Sequence, residues 1–148
     1  TREAACQILK KNVESLNPKF RVDVRGVEWA AFLDKAQRKL MPLFSRGWTG
    51  DYPDAHNFAF PFYHRDGRYP SAQGFADAAL DSLVEKAVRE VDPKRRAALY
   101  SDIAKRAYEE VPSLLTVHPA GVFAMREDVK GFVDNAVLMG VDFYPLSR

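Results

Sequence analysis

One cysteine in 148 residues excludes an intrachain disulfide and any zinc site assembled from several thiolates. Cys6 is expected as a small buried helix residue; a lipid-anchoring cysteine would follow an apolar leader, which Thr1 to Ala5 does not form. No uninterrupted apolar run approaches the roughly 18 residues that span a bilayer. A surplus of one charge is missing as well. Twenty-two Lys and Arg stand against 20 Asp and Glu, a net +2, and both signs alternate along the chain, so neither nucleic acid nor an anionic membrane is expected as a partner. There is no internal repeat, no low-complexity tract, no Gly-x-Ser-x-Gly, no phosphate-binding glycine loop and no Cys-His pattern. The expectation is a protein that is not an enzyme and has no cofactor, although aspartates and three histidines leave a small α/β hydrolase as a remote alternative.

What is present is ordinary globular composition, 47% apolar and 28% charged, in a length that suits one domain with its own core. Residues 3–16 place Ala5, Ile8, Leu9, Val13 and Leu16 on one helical face, ended by Asn17-Pro18. Phe20, Val22 and Val24 alternate with charged residues, a period of two that predicts a strand. Residues 28–40 read as a helix with Phe32, Leu33 and Ala36 inward, and Met41 to Phe44 as a short buried strand. Strand, helix, strand is the unit of parallel α/β sheets, so the predicted class is α/β. Residues 51–74, rich in aromatics, Pro and Gly, predict a long functional loop or packed flap. Residues 75–91 and the segment after Asp92-Pro93, which is a cap followed by a favoured first helical residue, predict a helical pair closed by Pro112. Strands are expected again at 114–117 and 122–125.

The run Gly47-Trp48-Thr49-Gly50-Asp51-Tyr52-Pro53-Asp54, closed by Asn57-Phe58, sets an aromatic plate three residues before a carboxylate in a turn-prone loop. Such a loop at a strand end is where α/β proteins hold ligands, and Gly47 and Gly50 allow close backbone approach. The competing reading is an ordinary turn in which Asp51 bonds its own backbone. Asp54, His56 and His64 could supply metal ligands, but the two histidines are eight apart in an expected loop, without helical spacing, and no metal site is predicted.

These residues resemble the signature of the family 5 solute-binding proteins of bacterial ABC importers, the dipeptide- and oligopeptide-binding group, whose C-terminal lobe carries Gly-Trp-x-x-Asp and then Asp-x-x-Asn-Phe. Further matches follow in the family's order: Val27-Glu28-Trp29-Ala30-Ala31-Phe32-Leu33 upstream, then Asp92-Pro93-Lys94-Arg95-Arg96-Ala97-Ala98-Leu99-Tyr100, Glu110-Val111-Pro112-Ser113-Leu114-Leu115 and Val129-Lys130-Gly131-Phe132 downstream. The resemblance implies that residues 1–148 are a C-terminal lobe portion of a type II periplasmic-binding-protein fold, with 126–148 a tail that returns to an N-terminal lobe not contained in the chain. It implies a peptide or similar ammonium-bearing ligand, permease subunits of an ABC transporter as partners, and a place in the periplasm or on the outer face of the cytoplasmic membrane.

By the same resemblance, Asp51 corresponds to the aspartate that receives a ligand's α-ammonium, and Trp29 and Trp48, nineteen residues apart, to tryptophans that line the cleft. Thr49 and Gly50 offer hydrogen bonds to a peptide main chain. Trp29 begins an expected helix and is as readily explained by core packing, and His118 could approach the ligand or be structural. One departure stands out. Some oligopeptide binders carry an arginine three residues before the motif tryptophan; here Ser45 occupies that place and Arg46 is one position off, expected on the other face of a strand, which puts carboxylate recognition and ligand length in doubt. An oligosaccharide, an opine-like compound or a metal chelate is the alternative cargo on the same fold, and a free-standing interaction module is the alternative to a lobe portion.

Overall fold

The computed structural model describes residues 2–118, 120–135 and 141–148. Six helices follow in order: α1 (Arg2–Leu16), α2 (Trp29–Gln37), α3 (His56–Tyr63), α4 (Arg68–Gln73), α5 (Ala78–Arg89) and α6 (Pro93–Glu110). The core lies where α5 and α6 pack on each other and on α3. Leu80, Val84 and Ala87 recur at helical spacing along α5 and are wholly enclosed, against Ile103 of α6 and Ala59 of α3. Phe60, Tyr63, Phe75, Leu83, Leu99 and Tyr100 close over them. α4 packs on α3 and α2, and α1 has no buried residue.

The helix starts follow their caps. Glu28 accepts from the amides of Ala30 and Ala31, Asp77 from Ala79 and Leu80, and Asp92 from Arg95, with Pro93 in the first turn of α6. Asp77 also takes two hydrogen bonds from Arg106, at 3.0 and 2.6 Å, which fastens the start of α5 to α6. Burial of Asp81 is likewise matched by donors, since its carboxylate accepts from the amide of Arg65 at 2.8 Å and pairs with the Arg65 guanidinium.

Three expectations are corrected. Residues 51–74 are not one long loop: α3 and α4 form inside them, with Pro61 tolerated within the eight residues of α3 because Ala59 and Pro61 are buried in packing that outweighs local propensity. The four expected strands run as irregular segments, and the described residues contain no sheet, only an isolated antiparallel bridge between Lys130 and Ser147. A strand exists only where a neighbouring strand takes its amides and carbonyls, and 20–24, 41–44, 114–117 and 122–125 have no such neighbour among the described residues. The apolar side chains of 114–117 and 122–125 stay open to solvent, with Leu115, Val117 and Val122 at 74%, 79% and 90% exposure, whereas Val22, Val24, Met41 and Phe44 are half-buried. Cys6 lies in α1 and is half-buried rather than buried.

Candidate functional site

The loop 47–54 leads into α3, and one side chain of that helix organises it. Asn57 is 5% exposed, and its Oδ1 accepts the indole Nε1 of Trp48 at 3.2 Å and the amide of Asp51 at 3.0 Å. One carbonyl oxygen thereby fixes the aromatic plate relative to the backbone that carries the carboxylate. Gly50 is buried between them, where a Cβ would stand 2.9 Å from the Phe58 ring, so a larger residue here would require that half-exposed ring to shift. Thr49 and Asp51 are exposed. The Asp51 carboxylate makes no hydrogen bond and no ion pair among the described residues. The turn role weighed for Asp51 falls instead to Asp54, which accepts the amide of His56 at 2.7 Å.

Trp48 is half-buried and meets the rings of Phe62 and Tyr69 edge-on at centroid distances of 6.4 and 6.1 Å. Tyr69, at the second position of α4, donates its hydroxyl to the carbonyl of Gly47 at 2.9 Å and so anchors the loop from the opposite end. Its phenol is pushed up by burial, with the guanidiniums of Arg46, Arg68 and Arg2 pulling the other way.

Trp29 opens α2 and is 52% exposed, so core packing does not account for it. It stacks on Phe32 at 5.5 Å and 8°, and the Arg46 guanidinium lies over the Trp29 ring, 5.2 Å from its centre, and over the Tyr69 ring, 5.6 Å from its centre. The two candidate tryptophans are thus joined through Arg46 and Tyr69 rather than facing each other. Arg46 sits on the tryptophan side, not away from it, because 41–48 is irregular and the alternation of a strand does not apply. Beside it a half-open groove of about 760 Å³ runs between α2 and α4; Phe44, Arg46, Arg68, Tyr69 and Phe75 line it, and neither Trp48 nor Asp51 does.

Of the residues considered for a metal, Asp54 and His64 have other partners, while Nδ1 of His56 is buried and has no hydrogen-bond partner among the described residues. Asp54 pairs with Arg96 of α6 at 2.8 Å, and that guanidinium, then the His56 amide, holds its carboxyl below the ordinary value. Buried His64 stacks on Phe60 at 4.7 Å, accepts the amide of Asp66 at Nδ1, and has Glu85 3.5 Å from Nε2. His56 is pushed toward its neutral form chiefly by burial. His118 is exposed. Asn57 was visible in sequence only as the end of the motif, and nothing in the sequence pointed to Tyr69 or Arg68.

No family model matches the chain, and no solved structure matches it. Curated proteins do. The chain is 27% identical over 119 residues to a probable di/tripeptide-binding protein 5 of Pseudomonas aeruginosa, covering 78% of this chain and 22% of that protein. It is 30% identical over 114 residues to a dipeptide-binding protein of the same species, covering 76% and 21%. Heme-binding protein A of Haemophilus influenzae is 27% identical over 122 residues, covering 81% and 22%. The chain spans less than a quarter of the length of each of these three relatives, and it is over most of its own length a relative of the dipeptide- and tripeptide-binding proteins of solute-binding family 5.

Proposed function

We propose that the chain is part of the C-terminal lobe of an extracytoplasmic solute-binding protein that captures peptides, or similar ammonium-bearing solutes, and delivers them to the permease of an ABC importer. The observation that carries this reading is Asp51, whose amide is fastened by Asn57 while its carboxylate stays exposed and has no partner among the described residues. An α-ammonium is the complementary group, and a charge-assisted bond to it is worth about 1.5–3 kcal/mol once the site is shut from water, against about 0–1 for a surface pair. Trp48 beside it offers an apolar face that covers many side chains without choosing among them, and Thr49 and Gly50 offer main-chain partners. Trp29 is linked to Trp48 through Arg46 and Tyr69. The names of the relatives, dipeptide- and di/tripeptide-binding proteins, support this cargo.

The α/β, type II reading of the lobe, with 126–148 returning to a separate N-terminal lobe, belongs to the same proposal. The exposed apolar side chains of 114–125, together with Phe143 and Tyr144 at 76% and 97% exposure, support a further partner surface for this part of the chain. Two lobes closing on the ligand would supply the desolvation that makes the Asp51 pair strong, in the periplasm or on the outer face of the membrane. No helix among the described residues is long and apolar enough to cross a membrane. A metal chelate is the second reading of the cargo, favoured by the relative named for heme binding. Native mass spectrometry of the intact protein, offered short peptides, sugars and heme together, separates them. Retention of peptides with a free amino terminus supports the proposal, and retention of heme or sugar alone overturns the choice of cargo.

A further inference from the structure

α6 turns one stripe inward, and the chemistry of that stripe changes along its length. Ala107, Ile103 and Tyr100 follow one another into the core at three- and four-residue steps, and one turn nearer the start of the helix the same face carries Arg96. The guanidinium is held on three sides. Nε donates to the carbonyl of Ala87 in α5 at 3.3 Å, while Nη2 donates to the Tyr100 hydroxyl at 3.2 Å and to Asp54 Oδ1 at 2.8 Å. The group also lies over the Tyr100 ring, 5.1 Å from its centre. Arg96 and Asp54 are both half-buried, so each gives up hydration to form the pair, and an apolar side chain continuing the stripe would stabilise the core as well or better. What the ion pair adds is a fixed place for Asp54.

Asp54 is the joint between the 47–54 loop and α3. Its carboxylate accepts the His56 amide at 2.7 Å, its own amide donates to the carbonyl of Tyr52 at 2.9 Å, and its carbonyl accepts the Asn57 amide at 3.0 Å. Asn57 then holds Trp48 and the amide of Asp51 on one oxygen. We infer that Arg96 is a positioning residue for solute capture: through Asp54 it sets where Asn57 holds Trp48 and Asp51, and it acts on the loop, not on the solute. The turn bonds of Asp54 are local and form without an arginine, but they leave the turn unattached to α5 and α6. A guanidinium with three fixed contacts supplies that attachment. Binding groups need such support from behind, since their geometry must hold to within about 0.5 Å. The assignment rests on the solute-capture reading and gives the Asp-x-x-Asn spacing of residues 54 to 57 a mechanical role.

The test compares Arg96→Gln with Arg106→Gln in the intact protein. Each takes an α6 arginine away from a carboxylate, but Asp77, the partner of Arg106, caps α5 and has no bond to the 47–54 loop among the described residues. Calorimetry is run well below every melting midpoint, with one dipeptide and its N-acetylated form. Arg96→Gln should lower the preference for the free dipeptide about fivefold or more, whereas Arg106→Gln keeps the wild-type ratio and loses only thermal stability. Exchange of the Trp48 indole hydrogen, followed by NMR without solute, should be faster in Arg96→Gln than in Arg106→Gln, because the Asn57 acceptor is no longer braced. An Arg96→Gln protein that keeps the wild-type ratio, or that exchanges this hydrogen no faster than Arg106→Gln does, overturns the positioning role and leaves the pair a brace of the helical core. If the wild type binds neither form of the dipeptide, the peptide reading fails separately, and the indole exchange alone decides whether Arg96 positions the loop. If Arg96→Gln does not fold, Asp54→Asn is read in its place with the same expected losses, since it keeps an acceptor for the His56 amide and removes the charge that Arg96 meets.

Discussion

The indole Nε1 of Trp48 and the Oδ1 of Asn57 stand 3.2 Å apart, and the same oxygen accepts the amide of Asp51 at 3.0 Å. Asn57→Ala removes both bonds at once from a buried position and leaves two donors to find other partners. The expected cost is about 1–3 kcal/mol in urea unfolding. Asn57→Asp keeps an acceptor for both donors and should lose less stability, but it sets a second carboxylate beside Asp51. Equal losses for the two variants would mean that the oxygen does not hold the loop.

Gly67 caps α4 at a point where a Cβ would stand 2.1 Å from the carbonyl oxygen of Phe60 and 2.8 Å from that of His64. Its backbone is ordinary, φ −69, so the constraint is space and not conformation. Gly67→Ala must push α3 and α4 apart, and a loss of about 1–3 kcal/mol is expected. Thermal melting checks it; an unchanged midpoint would contradict the close approach of the two helices.

Part of this architecture is legible in the sequence. The 3–4 spacing of Leu80, Val84 and Ala87 and the Asp92-Pro93 start mark α5 and α6, because periodicity and capping act within one segment. Asp77 is a cap of the same local kind. The region 51–74 hides its helices, since its Pro and Gly content reads as loop while α3 is held by burial of Ala59 and contact with α5, which no local pattern reports. The strand expectations fail for a related reason: alternation in Phe20, Val22 and Val24 describes a segment that can enter a sheet, and the pairing partner is a non-local fact. In the site, the motif Gly47 to Asp54 marks the loop, but the role of Asn57, and Tyr69 as the ring shared by Trp48 and Arg46, arise only when α3 and α4 pack.

Acid should release the tie between α5 and α6. The Arg106 guanidinium first, and the Ala79 and Leu80 amides after it, hold the Asp77 carboxyl below its ordinary value of 3.8, with burial opposing. A carboxyl whose folded value lies below its unfolded one stabilises fully above the unfolded value and loses that contribution as pH falls through the folded one. Asp77→Asn keeps a cap acceptor without the charge, so its melting midpoint should lie a few degrees below the wild type at pH 7 and converge with it as pH falls through the folded value of the carboxyl. Parallel curves down to pH 2 would show that the ion pair does not contribute.

The central claim is that the exposed Asp51 carboxylate receives a solute ammonium. Isothermal calorimetry on the intact protein and on Asp51→Asn, with one dipeptide and its N-acetylated form, tests it most directly. The account predicts that the wild type binds the free dipeptide at least tenfold more tightly than the acetylated one, and that Asp51→Asn loses most of that difference while keeping its melting midpoint. Undiminished affinity of Asp51→Asn for the free dipeptide would contradict it.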